Sequence, residues 1–487
     1  MEAFLAANMA PVMFAALIVF LLLGYPVAFS LAAVGLAFGW LGIELGLLTP
    51  ALLQALPDRI FGIMKNEILL AIPFFTFMGL VLERSGMAED LLDTVGQLFG
   101  GIRGGLAYAV ILVGALLAAT TGVVAASVIA MGLISLPIML RYGYAQSLAT
   151  GVIAASGTLA QIIPPSLVLI VMADVLGRSV GDMYAGALLP GLMLTGMYLL
   201  WVLVNAVLRP QSAPALPPEA RTLRGPALAW RVAYAMVPPL VLIFLVLGTI
   251  FIGWATPTEG GAMGAVGALI LAAAKRRLDR QVLVQSLEHT ARITSFVLFI
   301  LIGSSVFSLT FRGVTGDLWV EHLLTSLPGG ALGFLIVVNV LVFLLAFFLD
   351  FFEISFIILP LLAPVAEKLG IDLVWFGVLL GVNMQTSFMH PPFGFALFYL
   401  RSVAPPQVKT SQIYWGAVPF LAIQLVAVTL IIAFPALVRS GVEARAPAAA
   451  PPIELGIPAP AGSSLLDSQD YGDLFVKPPA ETKAREN

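Results

Sequence analysis

The sequence contains no cysteine, and only 10% of its 487 residues are charged. The first absence excludes disulfides, thiolate nucleophiles and cysteine metal sites. The second sets the chain apart from soluble globular proteins, which carry roughly 25% charged residues. Histidine is nearly absent too: His289, His322 and His390 are the only three, and they are scattered. There is no HExxH pair, no GxxxxGK[ST] phosphate loop and no GxSxG elbow, so the chain shows no machinery for hydrolysing ATP or a peptide bond. A formal net charge of -3 offers no footing for nucleic acid. The N-terminus lacks the basic start of a cleavable signal, so the first apolar stretch is expected to be kept as a span.

What is present is apolar. Hydrophobic residues make up 60% of the chain and the mean hydropathy is +1.02, which points to a polytopic membrane protein, expected to be all-α. At about 20 apolar residues per crossing, spans are expected near 9–24, 26–44, 66–83, 183–208, 231–253, 257–274, 293–311 and 412–438. The remaining apolar sequence, 105–175 and 330–404, holds a tandem proline in each part: SGTLAQIIPPS (Ser156 to Ser166) and NMQTSFMHPPF (Asn383 to Phe393). A helix broken at bilayer depth exposes backbone groups that lipid does not satisfy, so such a break survives only where it is buried or lines a binding cavity. Two matched breaks point to a transporter with an internal repeat.

Spacing supports the repeat. A shift of 227 residues carries Pro164 and Pro165 onto Pro391 and Pro392, Pro137 onto Pro364, Arg141 onto Lys368 and Gly143 onto Gly370. Downstream, Tyr184, Gly186 and Ala187 meet Tyr414, Gly416 and Ala417 at an offset of 230. Each module reads as two helical segments joined by a polar tip, TTGVV from Thr120 or LDFFEIS from Leu349, followed by the broken helix. Such a tip between short helices predicts a re-entrant hairpin. Basic residues concentrate in Arg209 to Arg231 and in KRRLDR from Lys275, two spans apart, which places both loops in the cytoplasm and both termini outside. Five crossings then separate the modules, making the repeat inverted.

The domain plan is accordingly N-terminal scaffold spans at 1–104, a first transport-core repeat at 105–175 and central spans at 176–329 with a Pro-rich cytoplasmic linker at 209–231. A second core repeat at 330–404, a C-terminal scaffold span at 405–440 and a tail at 441–487 complete it. The tail is rich in Ala, Pro and acid without a long apolar run, which predicts disorder.

Oxygen ligands for a hard cation are offered at both breaks, by backbone carbonyls beside Ser156, Gly157 and Thr158, and beside Asn383, Gln385 and Thr386. The alternative is that these polar residues only cap helix ends and bond across packed helices. Charged residues at membrane depth are functional candidates by default. Asp350 and Glu353 share a helix face if the tip is helical; they either hold a cation, or cap a hairpin helix or pair with Arg312. Glu259 fits an N-terminal first-turn acid, and His390 and the aromatic run Phe74, Phe75 and Phe77 fit packing roles. Gly151, Gly157 and Gly381 fit close helix contact. An anionic substrate suits the half-helix N-termini after Pro165 and Pro392, although no basic residue lies in either break.

IPFFTFMG (Ile72 to Gly79), ASGTLAQIIPPS (Ala155 to Ser166), ATPTEGGAMGA (Ala255 to Ala265) and LPLLAPVAEKLGID (Leu359 to Asp372), followed by VNMQTSFMHPP, resemble the large membrane subunit of tripartite ATP-independent periplasmic (TRAP) transporters, the DctM type. The resemblance covers roughly residues 5–440. It implies an elevator-type fold of the ion-transporter superfamily in the bacterial inner membrane, with sodium as coupling ion and no other cofactor. It also implies a small membrane subunit (DctQ type), a periplasmic substrate-binding protein (DctP type) and an organic acid as cargo. The first tip departs from the serine-rich family pattern, leaving Thr120, Thr121, Gly122 and Ser127 as its candidates; the second keeps Asp350, loses a proline and gains Glu353. With Pro164 and Pro391 at the breaks, these residues complete the candidate site. Rival readings are a stand-alone sodium-coupled carboxylate carrier, an intramembrane enzyme and, least favoured, a channel.

Overall fold

The computed structural model describes residues 2–122, 124–347 and 349–445, with the side chains of residues 2, 3, 120, 121 and 445 left aside; the expected disordered tail falls mostly outside these residues. All regular structure among them is helical. Helix ends follow local chemistry. Thr256 and Glu259 form a reciprocal capping box ahead of Pro257–Ala274, so Glu259 is the first-turn acid its position predicts. Left-handed glycines stop helices at Gly24 (φ 78°) and Gly253 (φ 76°), and again at Gly143 (φ 82°) and Gly370 (φ 72°). Each pair occupies equivalent places in the two halves, so the repeat is written into the helix ends as well as the breaks.

The repeat is wider than the modules. Met87–Phe99 has its counterpart in Gly316–Thr325, and Val180–Leu208 in Thr410–Ala433. In the first module, Gly105–Thr121 and Val124–Arg141 form a hairpin, followed by Gln146–Thr158, a break and Leu167–Val175. In the second, Gly330–Leu345 leads to a tip and Leu359–Lys368, then Leu373–Met389, a break and Phe395–Val403. The dipeptides Pro164-Pro165 and Pro391-Pro392 are both cis.

Contacts between loops divide the molecule into two ends. At one end Asp90 holds Lys275 (3.2 Å) and Arg277 (3.1 Å), Asp93 meets Arg231 (3.4 Å), and the Gly104 amide donates to Ala213 (2.8 Å). The Ala145 amide donates to Ser212 (3.0 Å), and Gln146 reaches the Gln407 carbonyl (3.3 Å). At the other end Asn66 donates to Asp174 (2.7 Å), Arg178 pairs with Glu367 (2.9 Å), and Lys368 pairs with Glu321. Hairpin 1 therefore stands on the basic end and hairpin 2 on the opposite one. The broken helices run in opposite directions for the same reason, which is the inverted repeat the span count predicts. Seven helices among the described residues are apolar and long enough to cross a membrane. Val124–Arg141 is one of them, yet it returns to the end where its hairpin began, a distinction that hydropathy alone does not make.

Two features differ from the sequence reading, and a third adds to it. The last span ends at Ala433, ahead of Pro435, and Ala436–Arg445 forms a further helix packed on Val180–Leu208 through Val438 and Gly186. Short helices at Leu56–Met64, Met87–Phe99 and Gly316–Thr325 were not expected. The Pro-rich linker, whose packing the sequence reading left open, is docked: Ala213 and Leu216 are buried, and the Leu216 amide donates to Gly100 (2.8 Å).

Candidate substrate and ion site

The two tips differ in construction. Gly105–Thr121 ends at Gly122, which is buried in the left-handed region (φ 60°) and donates its amide to Ala118 (3.2 Å). Thr120 and Thr121 belong to that helix, but their side chains lie outside the described residues. In hairpin 2, Asp350 is the N-cap of Phe351–Glu353: its carboxylate accepts the Glu353 amide (2.9 Å), and the Glu353 carboxylate accepts the Asp350 amide (2.9 Å). Asp350 therefore precedes the helix instead of sharing a face with Glu353, because an N-cap has extended backbone. A π-helical segment, Ile354–Ile358, follows, and the Ser304 hydroxyl of the long helix Arg280–Gly313 donates to its Phe356 carbonyl.

Beneath the tips, the polar residues ahead of the proline pairs, Ser156, Thr158, Gln161, Asn383, Gln385 and Thr386, are buried to 0 or 1% exposure. Ser156 and Thr158 donate their hydroxyls to Ile153 (3.0 Å) and Ala155 (2.9 Å), and Thr386 donates to Asn383 (2.6 Å). Donating one turn back uses the hydroxyl hydrogens and leaves the oxygens as acceptors, that of Thr158 already taking a hydrogen bond from Gln424 Nε2 (3.3 Å). Asn383 donates to the Asn339 carbonyl (2.8 Å) and side-chain oxygen (3.0 Å), tying the second broken helix to its hairpin. In the first module that seam is steric: a Cβ on Gly157 would lie 2.3 Å from Val128 Cγ2, and one on Gly114 would lie 2.5 Å from Ser156 Cβ. Gly151 faces the Gly416 carbonyl at 2.1 Å by the same measure, whereas Gly381 finds its nearest neighbour at 3.6 Å and is not a close-contact glycine. Both amide atoms of Gln161 and of Gln385 are buried with no hydrogen-bond partner among the described residues. Leaving such groups unpaired costs about 1–3 kcal/mol each, so both carboxamides are open to a further hydrogen-bonding or cation partner.

A cavity of about 470 Å³ joins the modules. Its walls bring together both tips (Gly122 and Asp350) and the first residues of both second half-helices (Leu167 and Phe395). The first amides of a helix have no intrahelical acceptor and carry its positive dipole end, so two anion-favouring ends converge on one space. The remaining wall comes from outside the modules: Leu80, Glu83 and Arg84 at the end of Ala71–Arg84, and His289, Ile293 and Phe296 of Arg280–Gly313.

The structure thus sorts the predicted residues into layers. Gly122 and Asp350 reach the cavity; Glu353 lines a separate one with Tyr25 and Phe299. Ser127, Ser156, Gly157, Thr158, Pro164, Asn383, Gln385 and Thr386 are buried off its wall, and Pro391 is half-buried. His390 packs as its position predicts, stacked on Phe347 with ring centres 3.7 Å apart. In the aromatic run Phe75 is buried, but Phe74 is 36% exposed. Glu83, Arg84 and His289 escaped the sequence reading because nothing in a scaffold helix marks which face meets the modules. Gln161 escaped although it sits inside the first break, where a polar residue before the proline pair is the available signal.

Inverted modules of hairpin and broken helix, closing on one shared cavity, define a polytopic transporter. The chain belongs to the family described as "Tripartite ATP-independent periplasmic transporter, DctM component", which it matches over residues 14–437. It is 32% identical over 393 residues to the C4-dicarboxylate TRAP transporter large permease protein DctM of Pseudomonas aeruginosa, covering 80% of this chain and 90% of that protein. The protein of the same name from Rhodobacter capsulatus is 32% identical over 444 residues, covering 88% and 97%. The crystal structure of the Alcanivorax borkumensis YdaH transporter shares the fold, with a TM-score of 0.55 at 15% identity over 79% of this chain and 88% of that one. The protein is therefore a TRAP transporter large permease subunit, a multi-pass protein of the bacterial inner membrane and part of a tripartite system, not an enzyme.

Proposed function

We propose that this chain is the permease of a sodium-coupled importer of an organic acid, working with a small membrane subunit and a periplasmic binding protein, in which the two modules move as one body past the scaffold. The observation that carries this reading is the convergence of both hairpin tips and both half-helix starts on the 470 Å³ cavity. Relatives named for C4-dicarboxylate transport make an organic anion the fitting cargo. Sodium prefers oxygen ligands, and the break carbonyls, the Thr158 and Thr386 hydroxyl oxygens and the unpaired Gln161 and Gln385 amide oxygens supply one oxygen-rich pocket per module. No cluster of three or more His, Asp or Glu occurs among the described residues, so a cation site built mostly of neutral oxygens, with Asp350 at the second tip adding its charge, fits this chain better than a carboxylate cage.

The basic end carries the arginine-rich loops and belongs in the cytoplasm by the positive-inside rule. The cavity's scaffold wall comes from the turn holding Glu83 and Arg84, next to that end, which fits an inward-facing arrangement. The experiment is uptake into proteoliposomes holding the permease and small subunit, with binding protein and cargo outside. An inward sodium gradient drives accumulation and ATP has no effect. Equal uptake with choline replacing sodium on both sides contradicts the coupling, and undiminished uptake without binding protein favours the stand-alone carrier.

A further inference from the structure

Resting on the organic-acid reading, we infer that the cargo is a monocarboxylate with an apolar, preferably aromatic, body rather than a short dicarboxylate, and that Arg84 is the residue that receives its carboxylate. The cavity wall carries six aromatic rings: Phe296, Phe351, Phe352, Phe388, Phe395 and Tyr399. Rings of this number, contributed by the second tip, both sides of the second break and the scaffold, make a surface that a small polar diacid does not use. A pocket of this size and lining, with few polar groups to set orientation, suits a small ligand with one polar end.

The polar groups supply that one end. Arg84 is the single guanidinium on the wall. One of its terminal nitrogens is held by the Gln285 side chain, while its Nε is buried without a hydrogen-bond partner. A guanidinium fixed on one edge and unpaired on the other matches a carboxylate, which accepts two parallel hydrogen bonds. Leu167 and Phe395 bring positive helix ends to the same space. The other charged groups oppose a second carboxylate. Glu83 has a buried, unpartnered carboxylate oxygen beside Arg84, and Asp350 stands on the tip wall with its carboxylate engaged as a cap. A cargo with one anionic end and an apolar body meets Arg84 with its charge and the rings with its bulk. Succinate must instead place its second charge among the rings or beside Asp350. The ordinary explanation of Arg84, a basic last-turn residue favoured by the helix dipole, accounts for its position but not for a cavity-lining guanidinium whose buried Nε has no hydrogen-bond partner among the described residues.

The test is ligand-induced melting of the full chain in lipid nanodiscs with saturating sodium chloride, titrated with phenylacetate, succinate and the uncharged 2-phenylethanol. Phenylacetate raises the melting temperature in a saturable way, at concentrations at least about tenfold below those needed for either other compound. Arg84→Gln weakens the phenylacetate response about tenfold or more, Arg84→Lys restores part of it, and the melting shift caused by sodium alone is kept in both. Should Arg84→Gln fail to fold, the comparison of the three ligands on the unsubstituted protein still decides. Succinate equal to or better than phenylacetate overturns the inference and leaves the organic-acid reading intact. A response to 2-phenylethanol equal to that of phenylacetate, or an Arg84→Gln protein with an unchanged phenylacetate response, removes Arg84 from the site. No response to either acid also overturns the inference, while the proteoliposome assay judges the transport reading separately.

Discussion

The two modules reach the same architecture by different means. Module 1 is joined sterically: Gly157 meets Val128, Gly114 meets Ser156, and its tip turns on the left-handed Gly122. Module 2 is joined by hydrogen bonds and charge: Asn383 grips Asn339, and Asp350 and Glu353 cap each other. Its tip continues into a π-helical segment bonded to Ser304 of the scaffold, where the equivalent part of module 1 is regular α-helix. Inverted repetition thus preserves where the helices break, while each half meets the burial requirement with its own chemistry. In module 2 the charged tip is thereby bonded to the scaffold. π segments are frequent at functional sites.

Exchanging equivalent residues breaks this comparison most directly. Gly157→Met installs the residue found 227 positions later, at Met384, into a seam where even a Cβ lies 2.3 Å from Val128. We expect the largest effect here, a destabilisation of about 3 kcal/mol from overpacking, read as loss of folded protein on size-exclusion chromatography and a lower melting temperature. A wild-type melting curve would remove the steric account of module 1.

Sodium affinity sharpens the contrast between the tips. Asp350→Asn keeps the size of the cap and an acceptor oxygen but removes the charge, so folding is near wild type while the sodium concentration for half-maximal uptake rises roughly tenfold, about 1.4 kcal/mol. An unchanged sodium titration in this variant restricts Asp350 to its role as helix cap. Asn383→Ser, which copies Ser156 of module 1, deletes both bonds to Asn339 and is expected to cost about 1–2 kcal/mol in thermal stability. If it costs nothing, the module 2 seam is held by packing as in module 1. The smallest effect is expected from Glu259→Gln. That exposed capping-box residue lies outside both modules, and its loss lowers the melting temperature only slightly, with no change in sodium dependence.

Much of this was legible in the chain because backbone chemistry leaves marks. The proline pairs located both breaks, Gly143 and Gly370 located both helix ends, and the basic loops located one end of the molecule. The Asp350-x-x-Glu353 spacing is that of a capping box, and the cap was among the readings open to it. Leu56–Met64 was missed because Pro57, Asp58 and Arg59 disguise a short amphipathic helix as a loop. Arg84, Glu83 and His289 were missed for a different reason. They lie on scaffold helices, and only tertiary packing decides that these faces meet the tips.

The inverted repeat requires the two hairpins to enter from opposite sides. Arg141 and Lys368 are equivalent, exposed feet of the two hairpins, 227 residues apart in a chain free of cysteine. Single Arg141→Cys and Lys368→Cys proteins in intact spheroplasts, treated with a membrane-impermeant maleimide, measure this directly. The predicted result is labelling of Lys368→Cys and protection of Arg141→Cys until the membrane is permeabilised. Labelling of both, or protection of both, contradicts the inverted repeat.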